Sequence, residues 1–278
     1  MNYFVTTGTS LRSHSRCWKP EPGKPRSNNG DDLKSFAECI EQGSKELLDT
    51  QKKIVETVLC ALGDRGSLET PETYLARAEE VVEKYFDANC WFRYMPHLLP
   101  AEVATLLVMH HLQPDGTAPY RPPAGSKIVF LCGETNEREA YLCAAVLKQV
   151  IRMQSAPVDP ITQLTAGNQG LAPIEADLRV SIHPEIFKWN PKNAAEFIKT
   201  LEGDKNQPAL LGRIGAGKQD AFVLTAGYKG VLIALSLQLS RVSKELPTRI
   251  FYLYEDSDDL IAFSVKDMCA RLLENSAI

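Results

Sequence analysis

Two short stretches carry residues of the types and spacing needed to hold an anion. The first is Ala221–Ser240, AFVLTAGYKGVLIALSLQLS. Its apolar run Phe222, Val223, Leu224 reaches Thr225, passes a small glycine-containing turn, and continues into apolar residues at helical spacing, Val231, Leu232, Leu235 and Leu239. The pattern is strand, turn, helix. Gly227 and Gly230 let backbone approach a ligand closely, and the free N–H groups of the new helix point at the same spot. Lys229 adds a positive charge in the first turn, where it opposes the helix macrodipole unless an anion sits between them. Such a local inconsistency is expected at a functional site. The second stretch, Met1–Leu11, is a short apolar run ending in Thr6-Thr7-Gly8-Thr9-Ser10: a first strand followed by hydroxyls around a glycine.

Ligands in a doubly wound sheet collect beyond the carboxyl ends of the strands, where such loops lie side by side. Two anion-seeking turns can therefore share one crevice. Each turn alone is also the ordinary connection between a strand and a helix. Neither is a dinucleotide fingerprint, since G-x-G-x-x-G is absent, and Gly215-Ala216-Gly217-Lys218 lacks both the spacing and the following Ser or Thr of a phosphate-binding P-loop. That segment reads as a loop.

Composition narrows the classes. The 278 residues are 44% hydrophobic and 24% charged, enough for one large domain or a domain with an insertion. A formal charge of -4 argues against general binding of duplex nucleic acid, which usually needs a basic face, but leaves room for a small polyanion in a locally positive pocket. No apolar run approaches the roughly 20 residues that span a bilayer, and the N-terminus enters a strand directly, so a cytoplasmic location away from membranes is expected. The seven cysteines, Cys17, Cys39, Cys60, Cys90, Cys132, Cys143 and Cys269, include no C-x-x-C pair and read as reduced thiols. No metal and no cofactor are expected.

The elements that must position the two turns follow from periodicity. Arg12–Asp31 is a long irregular loop holding Arg12, Arg16, Lys19, Lys24 and Arg26; it is either a solvated excursion or a basic rim over the Thr7–Ser10 turn. A helix or broken helix is expected from Asp31 or Asp32 to about Leu62, ended by Gly63–Ser67. A second runs from Thr70-Pro71-Glu72 to about Asn89, and a third follows Leu99-Pro100 through Val103, Leu106, Leu107 and Met109. Neighbouring His110 and His111 do not share a helix face and so make a poor metal pair. Lys127–Cys132 reads as a buried parallel-type strand and Glu137–Met153 as an amphipathic helix. Ser155–Asp159 is a possible short third strand, and Pro160–Pro184 has too little periodicity to place. Lys192–Glu202 looks helical, Gln207–Gln219 reads as loop, and Thr248–Tyr254 as another buried strand. The alternation predicts an α/β fold: a single Rossmann-like domain over 1–278, mainly a parallel sheet flanked by helices, with a helical insertion at 31–112 after the first strand.

Several of these segments together carry a resemblance. GTSL closing the first strand, Leu99-Pro100-Ala101-Glu102, Cys132-Gly133-Glu134-Thr135, TAGYKG at 225–230 and IFYLYEDSDDLI at 250–261 resemble the CRISPR-associated Rossmann fold family, and within it the standalone ring nucleases of type III systems. The resemblance implies a homodimer whose two pockets meet on a two-fold axis and hold a cyclic oligoadenylate, a ring of 3′–5′ linked AMP units. It implies Thr7, Gly8, Thr9, Ser10 and Arg12 on one side of the ligand and Thr225, Gly227, Tyr228, Lys229 and Gly230 on the other. Tyr228 either stacks on adenine or packs on its own sheet edge. Catalysis would need no metal: Ser10 would orient the attacking 2′-hydroxyl or the phosphate, and Lys229 would stabilise the charge of the transition state. Of rings of three, four and six adenylates a two-fold pocket disfavours three, and cyclic tetra-adenylate is the first choice, with the sequence itself not choosing between four and six.

Two other readings stand beside it. A sensor would bind the ring without cutting it and pass the signal to a partner protein. A ring-activated ribonuclease would carry an added helical nuclease domain with a longer gap between its arginine and histidine; here Arg93–His97 and Arg179–His183 each have three residues between, and 22 residues follow Asp256.

Overall fold

The computed structural model describes residues 1–8, 58–85, 100–113, 115–154, 171–182, 210–217, 219–225, 235, 249–253 and 260–264. Its chain forms an α/β, Rossmann-like arrangement around a six-stranded sheet. The strands are β1 (Asn2–Thr6), β2 (Ser126–Cys132), β3 (Ala176–Ile182), β4 (Ala221–Val223), β5 (Arg249–Leu253) and β6 (Leu260–Ser264). Their spatial order is β3-β2-β1-β4-β5-β6. The first five run parallel, and β6 pairs antiparallel to β5.

β1 lies at the centre because its residues suit burial on both faces. Tyr3, Phe4, Val5 and Thr6 are all buried, as are Ile128, Val129, Phe130 and Leu131 in the neighbouring β2. A parallel strand covered on both sides reads as a continuous apolar run, which is why β2 and β5 are visible from sequence. Register pairs Phe4 with Phe222, and their rings stack with centroids 5.4 Å apart. On the other face Tyr3 stands in register with Ala221, whose small side chain leaves room for the Tyr3 ring to stack on Phe251 at 6.3 Å. Each of these large side chains contributes about 1.5–3 kcal/mol by leaving water. Burial raises the Tyr3 phenol above its ordinary range, with the Arg249 charge acting in the opposite sense.

Two compact units divide the chain. The sheet unit comprises Met1–Gly8, Pro122–Ala140 and Glu175–Ile278; the helical unit comprises Thr9–Arg121 and Tyr141–Ile174. In the helical unit, residues 58–62 are helical and end at Gly63, whose φ of 66° and N–H bond to the Leu59 carbonyl make a left-handed C-terminal cap. Helix α1 (Pro71–Tyr85) starts with Thr70 accepting from the Thr73 N–H and Pro71 in the first turn. Helix α2 (Ala101–Met109) follows Pro100. Helix α3 (Glu137–Gln154) meets α1 through an edge-to-face contact of Tyr74 with Tyr141 at 4.6 Å and through Lys148 and Arg152, both paired with Glu79.

The structure departs from the periodicity in three places. The strand after α3 is β3, inside the stretch that sequence left unplaced; the alternative at Ser155–Asp159 lies outside the described residues. A single helical turn, α4 (Leu210–Arg213), sits within the expected loop Gln207–Gln219. The first apolar run of the Ala221–Ser240 stretch stops at Val223 as a strand, one residue before Leu224. Of the helix expected after it, the described residue is Leu235, helical and buried.

Candidate functional site

In this strand order the chain direction reverses between β1 and β4: after β1 the sheet grows toward β2 and β3, and from β4 it grows the other way. In an open α/β sheet such a switch point, beyond the carboxyl ends of the strands, is the usual ligand position. Val5 is in register with Val223, so Thr7 and Thr225 each lie two residues beyond a matched pair. The two turns singled out by sequence thus begin side by side. Thr9, Ser10, Arg12, Gly227, Tyr228, Lys229 and Gly230 lie outside the described residues.

The starts of both turns are held firmly. The Thr6 hydroxyl donates to the Val223 carbonyl at 3.3 Å, binding the end of β1 to the end of β4. Thr7 is fully buried, and both its N–H (3.0 Å) and its hydroxyl (2.5 Å) donate to the Leu131 carbonyl. Its own carbonyl accepts from the Asn136 side-chain amide at 2.7 Å. Every polar group of Thr7 is therefore engaged by protein, and these bonds fix the chain as it enters buried Gly8. Thr225 plays a similar part on the other side, where its hydroxyl accepts from the Leu253 N–H at 3.0 Å and Leu224 donates to Phe251 at 2.9 Å. These bonds extend the β4–β5 ladder one residue into the turn.

A third loop joins this end of the sheet. After β2 the chain turns at Gly133 and enters a 3-10 turn, Glu134–Asn136, that leads into α3. Asn136 is fully buried and spans from this turn to Thr7. Sequence reading of the GETN segment passed over it; an Asn three residues after a strand-ending glycine was the available signal, because a short amide in that position can accept the turn's own N–H. The first turn of α3 carries Glu137 and Glu139, so its dipole is already matched by carboxylates.

The histidine pair has a local explanation. His110 caps the carboxyl end of α2: its Nδ1 bonds the Leu106 carbonyl at 2.7 Å, and its own carbonyl accepts from Ala172 at 2.7 Å. Its Nε2 is buried and has no hydrogen-bond partner among the described residues. Burial lowers the His110 pKa; the bond to Leu106 opposes this, and the nearby Arg121 charge adds to it. Among the described residues no group of three His, Cys, Asp or Glu side chains is placed to hold a metal ion, and no helix is long and apolar enough to cross a membrane. Comparison of the chain with protein-family models and with curated proteins finds no match.

Proposed function

We propose that the protein binds a cyclic oligoadenylate, most simply cyclic tetra-adenylate, and opens the ring by metal-independent attack of a ribose 2′-hydroxyl on the adjoining phosphorus. The observation that carries this reading is the pairing of the Thr7-Gly8 and Thr225 turns at the β1–β4 switch point of the sheet. Both belong to segments that resemble ring nucleases of the CRISPR-associated Rossmann fold family, GTSL and TAGYKG.

The chemistry asks little of the protein beyond placement and charge. RNA supplies its own nucleophile, so the site must bring the 2′-oxygen, the phosphorus and the leaving 5′-oxygen into line and stabilise the negative charge that grows on the phosphate. Ser10, three residues past the firmly bonded Thr7 in sequence, orients the 2′-hydroxyl or the phosphate. Lys229, two residues after Gly227 in sequence, supplies the positive charge that offsets the charge developing on the phosphate. Thr9, Arg12 and Gly230 complete the phosphate contacts. Products are linear oligoadenylates ending in a cyclic 2′,3′-phosphate, and loss of the ring ends its signal in type III CRISPR defence.

The test is incubation with radiolabelled cyclic tetra-adenylate in excess EDTA, resolving ring from linear product and recording how much ring stays bound. Linear product is expected with the unaltered protein, none with Lys229→Ala, and with Ser10→Ala a loss of cleavage larger than the loss of binding. Tight binding without product would replace cleavage by a sensor that signals to a partner protein. Absence of both would overturn the reading.

A further inference from the structure

The Asn136 side chain forms a complete bridge between two loops at the carboxyl end of the sheet. Its Oδ1 accepts from the Gly133 N–H at 2.8 Å; its Nδ2 donates to the Thr7 carbonyl at 2.7 Å and lies 3.4 Å from the Thr7 hydroxyl. Only this orientation of the amide works, since the reverse would set an NH2 against a donor and an oxygen against a carbonyl. All of these groups are buried, so none has water as an alternative partner. Thr7 in turn donates twice to Leu131 at the end of β2. The loop after β1 is thereby fastened to β2 at the point where the strand ladder ends.

The consequence reaches past Thr7. The register of β1 with β2 ends at the Thr6–Leu131 pair, and in sequence Thr7 is followed by Gly8, Thr9 and Ser10. We propose that Asn136 is a positioning residue for the candidate site: it fixes the start of the loop after β1, at Thr7 and Gly8, and it makes the Gly133–Asn136 turn part of the frame on which the ligand is held. The functional half of this proposal rests on the ring-binding reading above. A preset loop binds more tightly because it does not have to be ordered at the moment of binding.

Asn136→Asp separates the two ends of the bridge. The introduced carboxylate still accepts from Gly133 but repels the Thr7 carbonyl, whereas Asn136→Ala removes both ends. Amide hydrogen exchange on the full chain at pH 8 reads the effect directly. Protection at Thr7 and Gly8 is expected to fall at least tenfold in both variants, with Phe4 and Val5 of the same strand within about twofold of the unaltered protein. Equal loss at Phe4, Val5 and Thr7 would show a merely structural role, and unchanged protection at Thr7 would remove the clamp altogether; either overturns the proposal.

In parallel, titration with cyclic tetra-adenylate should show Asn136→Asp about tenfold weaker than the unaltered protein at pH 8. The gap should narrow at pH 5, where the new carboxyl, its pKa raised by burial, regains a proton and can again donate to Thr7. Unchanged affinity at pH 8 alongside lost protection would overturn the functional half alone. If the unaltered chain binds no ring, the ring reading fails, and the exchange result by itself decides whether Asn136 holds the loop.

Discussion

The Thr225 hydroxyl completes a strand pair that the β4 backbone leaves one residue short. It accepts from the buried Leu253 N–H, and a buried donor stripped of its acceptor costs about 1–3 kcal/mol. Thr225→Val keeps the shape and removes the acceptor, so a fall in stability of about that size is expected in denaturant unfolding, with Thr225→Ser close to the unaltered protein. An unchanged midpoint for the valine variant would mean that Leu253 finds another partner. Residues such as Thr7 show why this level was only partly legible. A threonine after a strand looks the same in sequence whether its hydroxyl meets a ligand or a neighbouring carbonyl. What decides is the position of Leu131, which lies 124 residues away. Asn136 was hidden for the same reason, since its partner Thr7 is 129 residues distant.

At the scale of elements, the register of the central strand is secured at its start as well as its end. Asp220, just before β4, accepts from the Asn2 N–H at 2.7 Å, the Asn2 side-chain amide at 3.1 Å and the Gly217 N–H at 2.6 Å. Asp220→Ala leaves these donors without their carboxylate, and a loss of about 2–4 kcal/mol is expected in thermal or denaturant unfolding. Helix α2 gives a prediction in pH. His110 binds a proton less readily folded than unfolded, because of burial first and the Arg121 charge as well. The folded chain therefore gains nothing from His110 above about pH 6.5 and loses stability as pH falls below it toward the depressed folded pKa, about 1.4 kcal/mol for each tenfold difference in proton affinity. His110→Asn, whose amide can replace Nδ1 as donor to Leu106, should flatten that acid limb in a series of thermal melts; an unaltered limb would place the titration elsewhere.

The same scale shows which elements a sequence reveals. β2 and β5 are continuous apolar runs buried on both faces, and α1 and α2 announce themselves through Pro71 and Pro100. β3 does not. As an end strand it carries exposed Asp177 and Arg179 alternating with half-buried neighbours, and its hydrophobic signal is halved. Short α4 has no periodicity to read, being four residues long.

For the whole molecule, the ring-binding proposal carries a statement about symmetry. A ring with two-fold symmetry sees the same turn from both sides only if two chains supply it, and a closed two-fold pair is the simplest way to do so. Calorimetric titration with cyclic tetra-adenylate is expected to give one ring per two chains, with a dimer mass in solution. One ring per chain would rule out a shared pocket.

The division of the chain also sets an order of events during synthesis. β1 is made among the first residues, yet its neighbour β4 and the anchoring Asp220 follow only later, with Asn2 and Asp220 separated by 218 positions. At ribosomal speeds of about 5–20 residues per second, a nascent chain holds Tyr3, Phe4 and Val5 unpaired on that side for roughly ten to forty-five seconds. The segments of the helical unit are all present by Ile174, well before the sheet unit has its last strands. The central strand β1 is therefore the one that waits longest for its full set of partners, and chains interrupted between β2 and β4 are the ones that quality control will meet with a core strand bare along one edge.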